Sequence, residues 1–140
     1  KTVRVTARFE KVQSSPTVIL DVGHNPHAAN VLAQNVKDLG TEGKTIAVFG
    51  MLADKDMLDV VKIMSGVIDQ WFITGLPGPR GATSEELYRV MLEAGVKPET
   101  IEVCSDVKVA FDRAKQTASI IDKIIIFGSF VTVTAALPLV

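Results

Sequence analysis

The sequence predicts an α/β domain in three layers: a mostly parallel sheet of about six strands, with one antiparallel strand at its edge, between two layers of helices. Three observations carry that expectation. Five short apolar runs, "TVIL" at 17, "TIAVF" at 45, "WFIT" at 71, "TIEV" at 100 and "KIIIF" at 123, are rich in β-branched residues and mostly lack in-out alternation. Strands covered on both faces read this way. Stretches with helical spacing separate the runs, and strand–helix alternation at this pace implies right-handed crossovers. The leading segment "VRVTARFEKV", from residue 3, alternates apolar and polar residues as a half-exposed edge strand does.

The elements follow in order. After the edge strand and "TVIL", Asn25 is the N-cap of the first helix and Pro26 occupies its first position. Ala28, Ala29, Leu32, Val36 and Leu39 form its apolar stripe, and Gly40 is placed to end it. Behind "TIAVF", Asp56 is expected to cap a helix whose stripe is Met57, Val60, Val61, Met64, Val67 and Ile68. Behind "WFIT", Thr83 and Glu86 have the spacing of a capping box, and Leu87, Val90, Met91 and Ala94 follow as the buried stripe. Val107, Ala110, Phe111, Ala114 and Ala118 mark the helix after "TIEV". A glycine turn and an apolar helix follow "KIIIF".

Length and charge narrow the function. Residues 1–140 suit one domain with a sizeable core, without linker or repeat. Fifteen basic against 16 acidic residues give no basic excess of the kind that phosphate-backbone binding leaves, so nucleic acid is not the expected partner. Cys104 is the one cysteine; it excludes an internal disulfide and fits a reducing cytoplasm. The charged opening "KTVRVTARFEKV" is not a signal peptide. Residues 124–140 carry no charge, but Gly128, Ser129, Thr132, Thr134 and Pro138 interrupt them, so no membrane span is expected. An end without a polar tail fits a piece of a longer protein.

In a parallel sheet the loops leaving the carboxyl ends of the strands share one edge, and ligands bind there. Here those loops are "DVGHN" (21–25), "GMLADKD" (50–56), "GLPGPRGAT" (75–83), "CSD" (104–106) and "GSF" (128–130). Asp21 ends a buried strand, where a carboxylate must be paired or hydrogen-bonded; it could hold sugar hydroxyls or cap a neighbouring loop. His24 sits by the amides of a helix N-terminus, where it could orient or deprotonate an amine. Ser129 could bind a carboxylate or cap its own helix. Lys55 lies between two aspartates in a solvated cluster, and Arg80 could stand over the same edge or belong to a plain turn. No metal site is expected: His24 and His27 need not point the same way, no cysteine or second carboxylate stands near Asp21 to complete a shell, and His27 reads as a solvated helix residue. "GTEGKT" at 40–45 is no phosphate loop: Asp38 stands where the first glycine belongs, and the segment closes a helix and opens a strand.

Taken together, "ARF" at 7–9, "VILDVGHNPHAA" at 18–29, "VFGMLADKD" at 48–56, "GPRGATSEEL" at 78–87 and "FGSF" at 127–130 resemble, in order, the C-terminal domain of bacterial bifunctional dihydrofolate synthase/folylpolyglutamate synthases of the Mur ligase superfamily. The resemblance implies a Rossmann-like fold and an ATP-dependent ligase that phosphorylates the carboxyl of dihydropteroate or a folate, after which the amine of L-glutamate attacks. It implies that a larger N-terminal ATPase domain holds the phosphate loop and most of the Mg2+ contacts, so this part alone would be inactive. By position it assigns Asp21, Arg8 and Asn25 to the nucleotide, and His24, Ser129 and Lys55 to glutamate, with His24 in the catalytic role. One departure is Val131, where the family often carries a histidine after "GSF". The competing expectation is a freestanding doubly wound module that binds a nucleotide or small molecule without catalysis. A G-T-x-G-K-[GT]-[ST] motif encoded upstream would separate the two.

Overall fold

A computed structural model of the chain describes residues 8–40, 42–54 and 56–140. Strands β1 (Glu10–Gln13) and β2 (Thr17–Asp21) lead into helix α1 (Pro26–Asp38). Then β3 (Thr45–Phe49), α2 (Met57–Ser65), β4 (Gln70–Thr74), α3 (Ser84–Glu93), β5 (Ile101–Cys104), α4 (Val107–Thr117), β6 (Lys123–Phe127) and α5 (Phe130–Ala136) alternate to the end. The sheet runs β1-β2-β6-β3-β4-β5. Only β1 with β2 is antiparallel; the other neighbours are parallel. The expected three-layer α/β class is the one observed.

Side chains alternate between two cores because successive residues of a strand point to opposite faces. Ile19, Ala47, Phe49, Trp71, Ile73, Ile125 and Phe127 meet the stripes of α1, α2 and α3 on one side. Val18, Leu20, Ile46, Val48, Phe72, Ile124 and Ile126 meet α4 and α5 on the other. Three aromatics anchor the first core. Phe49 meets Trp71 edge-on with ring centroids 5.6 Å apart, and its ring lies 4.8 Å from that of Phe127.

The edge opposite the strand carboxyl ends is stapled by one residue. Asp122, buried before β6, accepts from the Lys44 amide at 2.7 Å and the Ser119 amide at 2.8 Å, tying the entries of β3 and β6 together. Burial alone would raise its carboxyl, but the two amides, the Lys44 charge and the Ser119 side chain together hold it below the usual carboxylate range. Lys123 donates to the carbonyls of Gly40 and Glu42 on the same edge, beyond the end of α1. Gly40 has φ +97°, and its N–H bonds Lys37 O, as a helix-ending glycine should.

Four local expectations need correction. The edge strand was expected over residues 3–12, but Arg8 and Phe9 form a bend before β1, and residues 3–7 lie outside the described residues. Asp56 occupies the N-cap of α2 with no side-chain bond; Asp54 instead accepts from the Asp56 amide at 2.7 Å. The short aspartate turn stabilises the loop before the helix rather than the helix itself. Val67 and Ile68 lie past the end of α2 but still pack on the core. Leu39, the last position of the α1 stripe, is exposed.

Candidate functional site

The order of the strands creates the site. Helices α1, α2 and α3 cover one face of the sheet, and α4 and α5 the other, so the chain leaves adjacent strands β2 and β6 toward opposite faces. Loops that diverge in this way open a crevice at the carboxyl edge. The register is level across it: Asp21 pairs with Phe127, Phe127 with Phe49, and Phe49 with Ile73. Residues 21–25, 50–54 and 128–130 therefore meet along one rim, with 75–83 and 104–106 continuing it.

Asp21 is the most heavily committed polar group on this rim. Its Oδ1 accepts from Arg8 Nε at 3.1 Å and from the Gly23 amide at 2.7 Å, while Oδ2 accepts from the Phe9 amide at 3.0 Å. The carboxylate is 2% exposed, whereas the Arg8 side chain is 49% exposed. Asp21 thus holds the Arg8–Phe9 bend at the crevice and fixes Arg8 through Nε; among the described residues the two terminal guanidinium nitrogens make no other hydrogen bond and are available to an anion. Gly23 is required where it stands: a Cβ there would lie 2.9 Å from Asp21 Oδ1 and 2.7 Å from Ala28 Cβ.

His24 and Asn25 follow at the mouth of α1, both exposed. Asn25 Oδ1 accepts from the Ala28 amide at 2.8 Å, the expected N-cap, which leaves its NH₂ group available. His24 Nδ1 is 3.3 Å from Val22 O. With Nδ1 donating there, Nε2 is the acceptor nitrogen of the exposed ring. His27 is a solvent-exposed residue of the first turn of α1.

A buried chain of hydroxyls links the next two loops. Thr132 Oγ1 donates to Gly50 O at 2.7 Å and lies 3.1 Å from Ser129 Oγ, which also accepts from the Thr132 amide at 3.0 Å. Thr132 has one hydroxyl proton and gives it to Gly50, so Ser129 must be the donor between the two hydroxyls. Ser129, 2% exposed, therefore fulfils its capping alternative. Gly128 makes the approach possible with φ +118°, and a Cβ on it would fall onto Gly50 O. From Gly50 the rim continues through backbone bonds: Ala82 N to Met51 O at 3.0 Å and Ala53 N to Arg80 O at 2.8 Å.

The structure thus brings together Arg8, Asp21, His24 and Asn25, and beside them Ser129. Lys55 lies outside the described residues. Among the described residues no group of three or more His, Cys, Asp or Glu side chains is placed to hold a metal ion. Cys104 is buried, which pushes its thiol up and away from reactivity. Thr132 was missed by sequence reasoning. It is the fourth residue of "SFVT", and a hydroxyl one turn after a capping serine inside an apolar run was the available signal.

With this geometry in view, comparison with known proteins is specific. The family model described as "Mur ligase, glutamate ligase domain" matches residues 7–130. The dihydrofolate synthase/folylpolyglutamate synthase of Escherichia coli (strain K12) is 40% identical over 126 residues, taking in 90% of this chain and 28% of its own. Among solved structures, Escherichia coli FolC in complex with DHPP and ADP superposes with a TM-score of 0.87 at 38% identity, over 95% of this chain and 30% of that one. A bifunctional folylpolyglutamate synthase/dihydrofolate synthase with Mn, AMPPNP and L-glutamate bound gives 0.85 at 37% identity, over 95% and 31%. The chain therefore spans just under a third of the length of these relatives. Because the matched span, residues 7–130, takes in the Arg8–Phe9 bend and all five rim loops, the chain belongs to the Mur ligase, glutamate ligase domain family.

Proposed function

We propose that residues 1–140 are the Mur ligase-type C-terminal domain of a longer cytoplasmic enzyme, an ATP-dependent ligase that joins L-glutamate to dihydropteroate or to folates. The observation that carries this reading is the crevice between β2 and β6, where a charged pair, Arg8 with Asp21, stands beside an exposed imidazole, His24. A nucleotide and an amine could be held next to one another there. Solved relatives that contain ADP, AMPPNP and L-glutamate support the same ligands.

In this reading ATP phosphorylates the carboxyl of the pterin acid within the preceding N-terminal ATPase domain, which also holds Mg2+. The glutamate nitrogen then attacks the acyl carbon, phosphate leaves with the C–O bonding pair, and nitrogen loses a proton. Arg8 meets the nucleotide with its free nitrogens, Asp21 positions Arg8 for that contact, and Asn25 offers its NH₂ group from the α1 cap. His24 faces the amine and takes its proton through Nε2. Ser129 fixes the wall of the glutamate pocket, and Lys55 contributes charge to it. Domain closure supplies orientation, which no half-site supplies alone, so the isolated domain should be inactive and should bind either ligand weakly.

The test uses the full-length protein, with ADP release and product formation followed as functions of ATP, glutamate and dihydropteroate. His24→Ala should lower kcat about 10²–10⁴-fold, the range for losing a general base, and leave the KM for ATP within about twofold. Asp21→Ala should chiefly raise the KM for ATP. Equal losses in both terms for His24→Ala would remove its place beside the amine. Ligand binding without turnover by the full-length protein would favour a binding module over a ligase.

A further inference from the structure

The lip of the crevice formed by the β6 exit hangs on one buried side chain. The exits of β3 and β4 are joined through backbone: Ala82 N donates to Met51 O at 3.0 Å, Ala53 N to Arg80 O at 2.8 Å, and Leu52 and Gly81 form an antiparallel bridge. Among the described residues no backbone hydrogen bond joins residues 128–130 to either of those loops. The link is instead the Thr132 hydroxyl, which reaches Gly50 O, 82 residues away in the chain, at 2.7 Å. Across the crevice the other lip is also held by one buried side chain, Asp21, with its three bonds to Arg8, Phe9 and Gly23.

Gly50 receives the Thr132 bond at a crowded point. A Cβ on it would lie 2.8 Å from a Leu76 methyl, 3.1 Å from Thr74 O and 3.2 Å from the Thr132 hydroxyl, so the exits of β3, β4 and β6 close on one residue. Thr132 is 0% exposed and touches no ligand itself. Whatever it does reaches the crevice through Gly50 on one side and Ser129 on the other. The proton directions are fixed as well: Thr132 gives its proton to Gly50, and Ser129 gives its own to Thr132. Losing the middle hydroxyl would strand a buried carbonyl and release the Ser129 proton at once. A plain helix cap needs only the bond from the Thr132 amide to Ser129 Oγ, present at 3.0 Å.

We infer that Thr132 is a positioning residue for ligation, tying the β6 lip to the β3 and β4 exits so that this wall of the crevice moves as one body when the preceding domain closes on it. This rests on the ligase reading and adds to it a residue that acts on orientation rather than on binding. A buried tie adds nothing to the contacts that either ligand makes in the open crevice, so its loss leaves each KM in place. It lowers instead the share of closed complexes in which amine and acyl carbon are aligned, and a misplacement of about 1 Å costs about a hundredfold in rate.

Steady-state kinetics of the full-length protein test this with Thr132→Val, which keeps the shape and loses the hydroxyl, beside Thr132→Ser, which keeps the hydroxyl. Thr132→Val should lower kcat about ten- to a hundredfold and leave the KM for ATP and for L-glutamate within about twofold. Thr132→Ser should recover most of that loss. Ile124→Val, which removes one methyl group from the same core at the entry end of β6, controls for stability alone: its melting temperature should fall and its kcat should not. Hydrogen exchange follows the tie itself. The Thr132 and Val133 amides, both bonded to Ser129, should exchange faster in Thr132→Val, and the Glu86 amide in the distant capping box should not. Should Thr132→Val not fold, Thr132→Ala takes its place under the same criteria. A parental kcat in Thr132→Val, a Thr132→Ser variant as slow as Thr132→Val, a change confined to either KM, or an equal kcat loss in Ile124→Val would each overturn the inference. Unchanged exchange at residues 132 and 133 would remove the tie whatever the kinetics. A parent protein that forms no glutamyl amide would remove the ligase reading, and the positioning role with it.

Discussion

Gly128 shows how much of the rim depends on one missing methyl group. Its φ of +118° lies where L side chains are strained, and a Cβ would strike the Gly50 carbonyl that receives the Thr132 hydroxyl. Gly128→Ala should therefore destabilise the fold by about 2–4 kcal/mol, combining backbone strain with overpacking, measured as a lower urea midpoint at unchanged slope. A midpoint equal to that of the parent would mean that the β3 and β6 loops are not locked together. At this scale the sequence was partly legible. Asn25, Thr83 and Glu86 declared their caps because the chemistry is local, one side chain to an amide three residues on. Asp21 and Ser129 each left two roles open, since choosing between them needs partners from distant parts of the chain. The amides of Phe9 and Gly23 answer for Asp21, and Thr132 answers for Ser129.

Among the elements, β3 and β6 are held in step by the Asp122 carboxylate, which receives two amides at the entry edge. A carboxyl held below its ordinary range contributes stability that is complete above that range and is lost as pH falls through the lowered value. Asp122→Asn should thus be less stable than the parent by about 1–3 kcal/mol at neutral pH, and the gap should narrow as pH drops below about 4. Denaturant titrations at a series of pH values read this directly; a gap constant down to pH 3 would show that the charge on Asp122 is not what holds the amides. Strand and helix types were legible because burial on two faces leaves β-branched runs and burial on one face leaves a stripe. Element ends were less so. Val67 and Ile68 keep the apolar character of α2 beyond its last turn, and Asp56 has the residue type of a cap without the geometry of one.

For the molecule as a whole, Trp71 is the one tryptophan, 1% exposed and packed between β-sheet and helices against Phe49. Its emission should be blue-shifted when folded and move to the red in the same cooperative step that abolishes far-ultraviolet ellipticity. Trp71→Ala should cost about 3–5 kcal/mol, as large cavities in aromatic cores do. Separate fluorescence and ellipticity midpoints would show that the two cores unfold independently. The rim was predictable at this scale, since parallel strands put their exits on one edge whatever their order. The order itself was not: nothing in the pattern of apolar runs says that the sixth strand lies third in the sheet. That placement bears on synthesis. A ribosome that has released everything up to residue 117 has made two unjoined flaps, β1-β2 and β3-β4-β5, with the bare flanks of β2 and β3 facing a slot the width of one strand. The keystone "KIIIF" arrives afterwards, so the nascent chain must keep two adhesive borders apart until it does, and a stop codon before Lys123 would strand both.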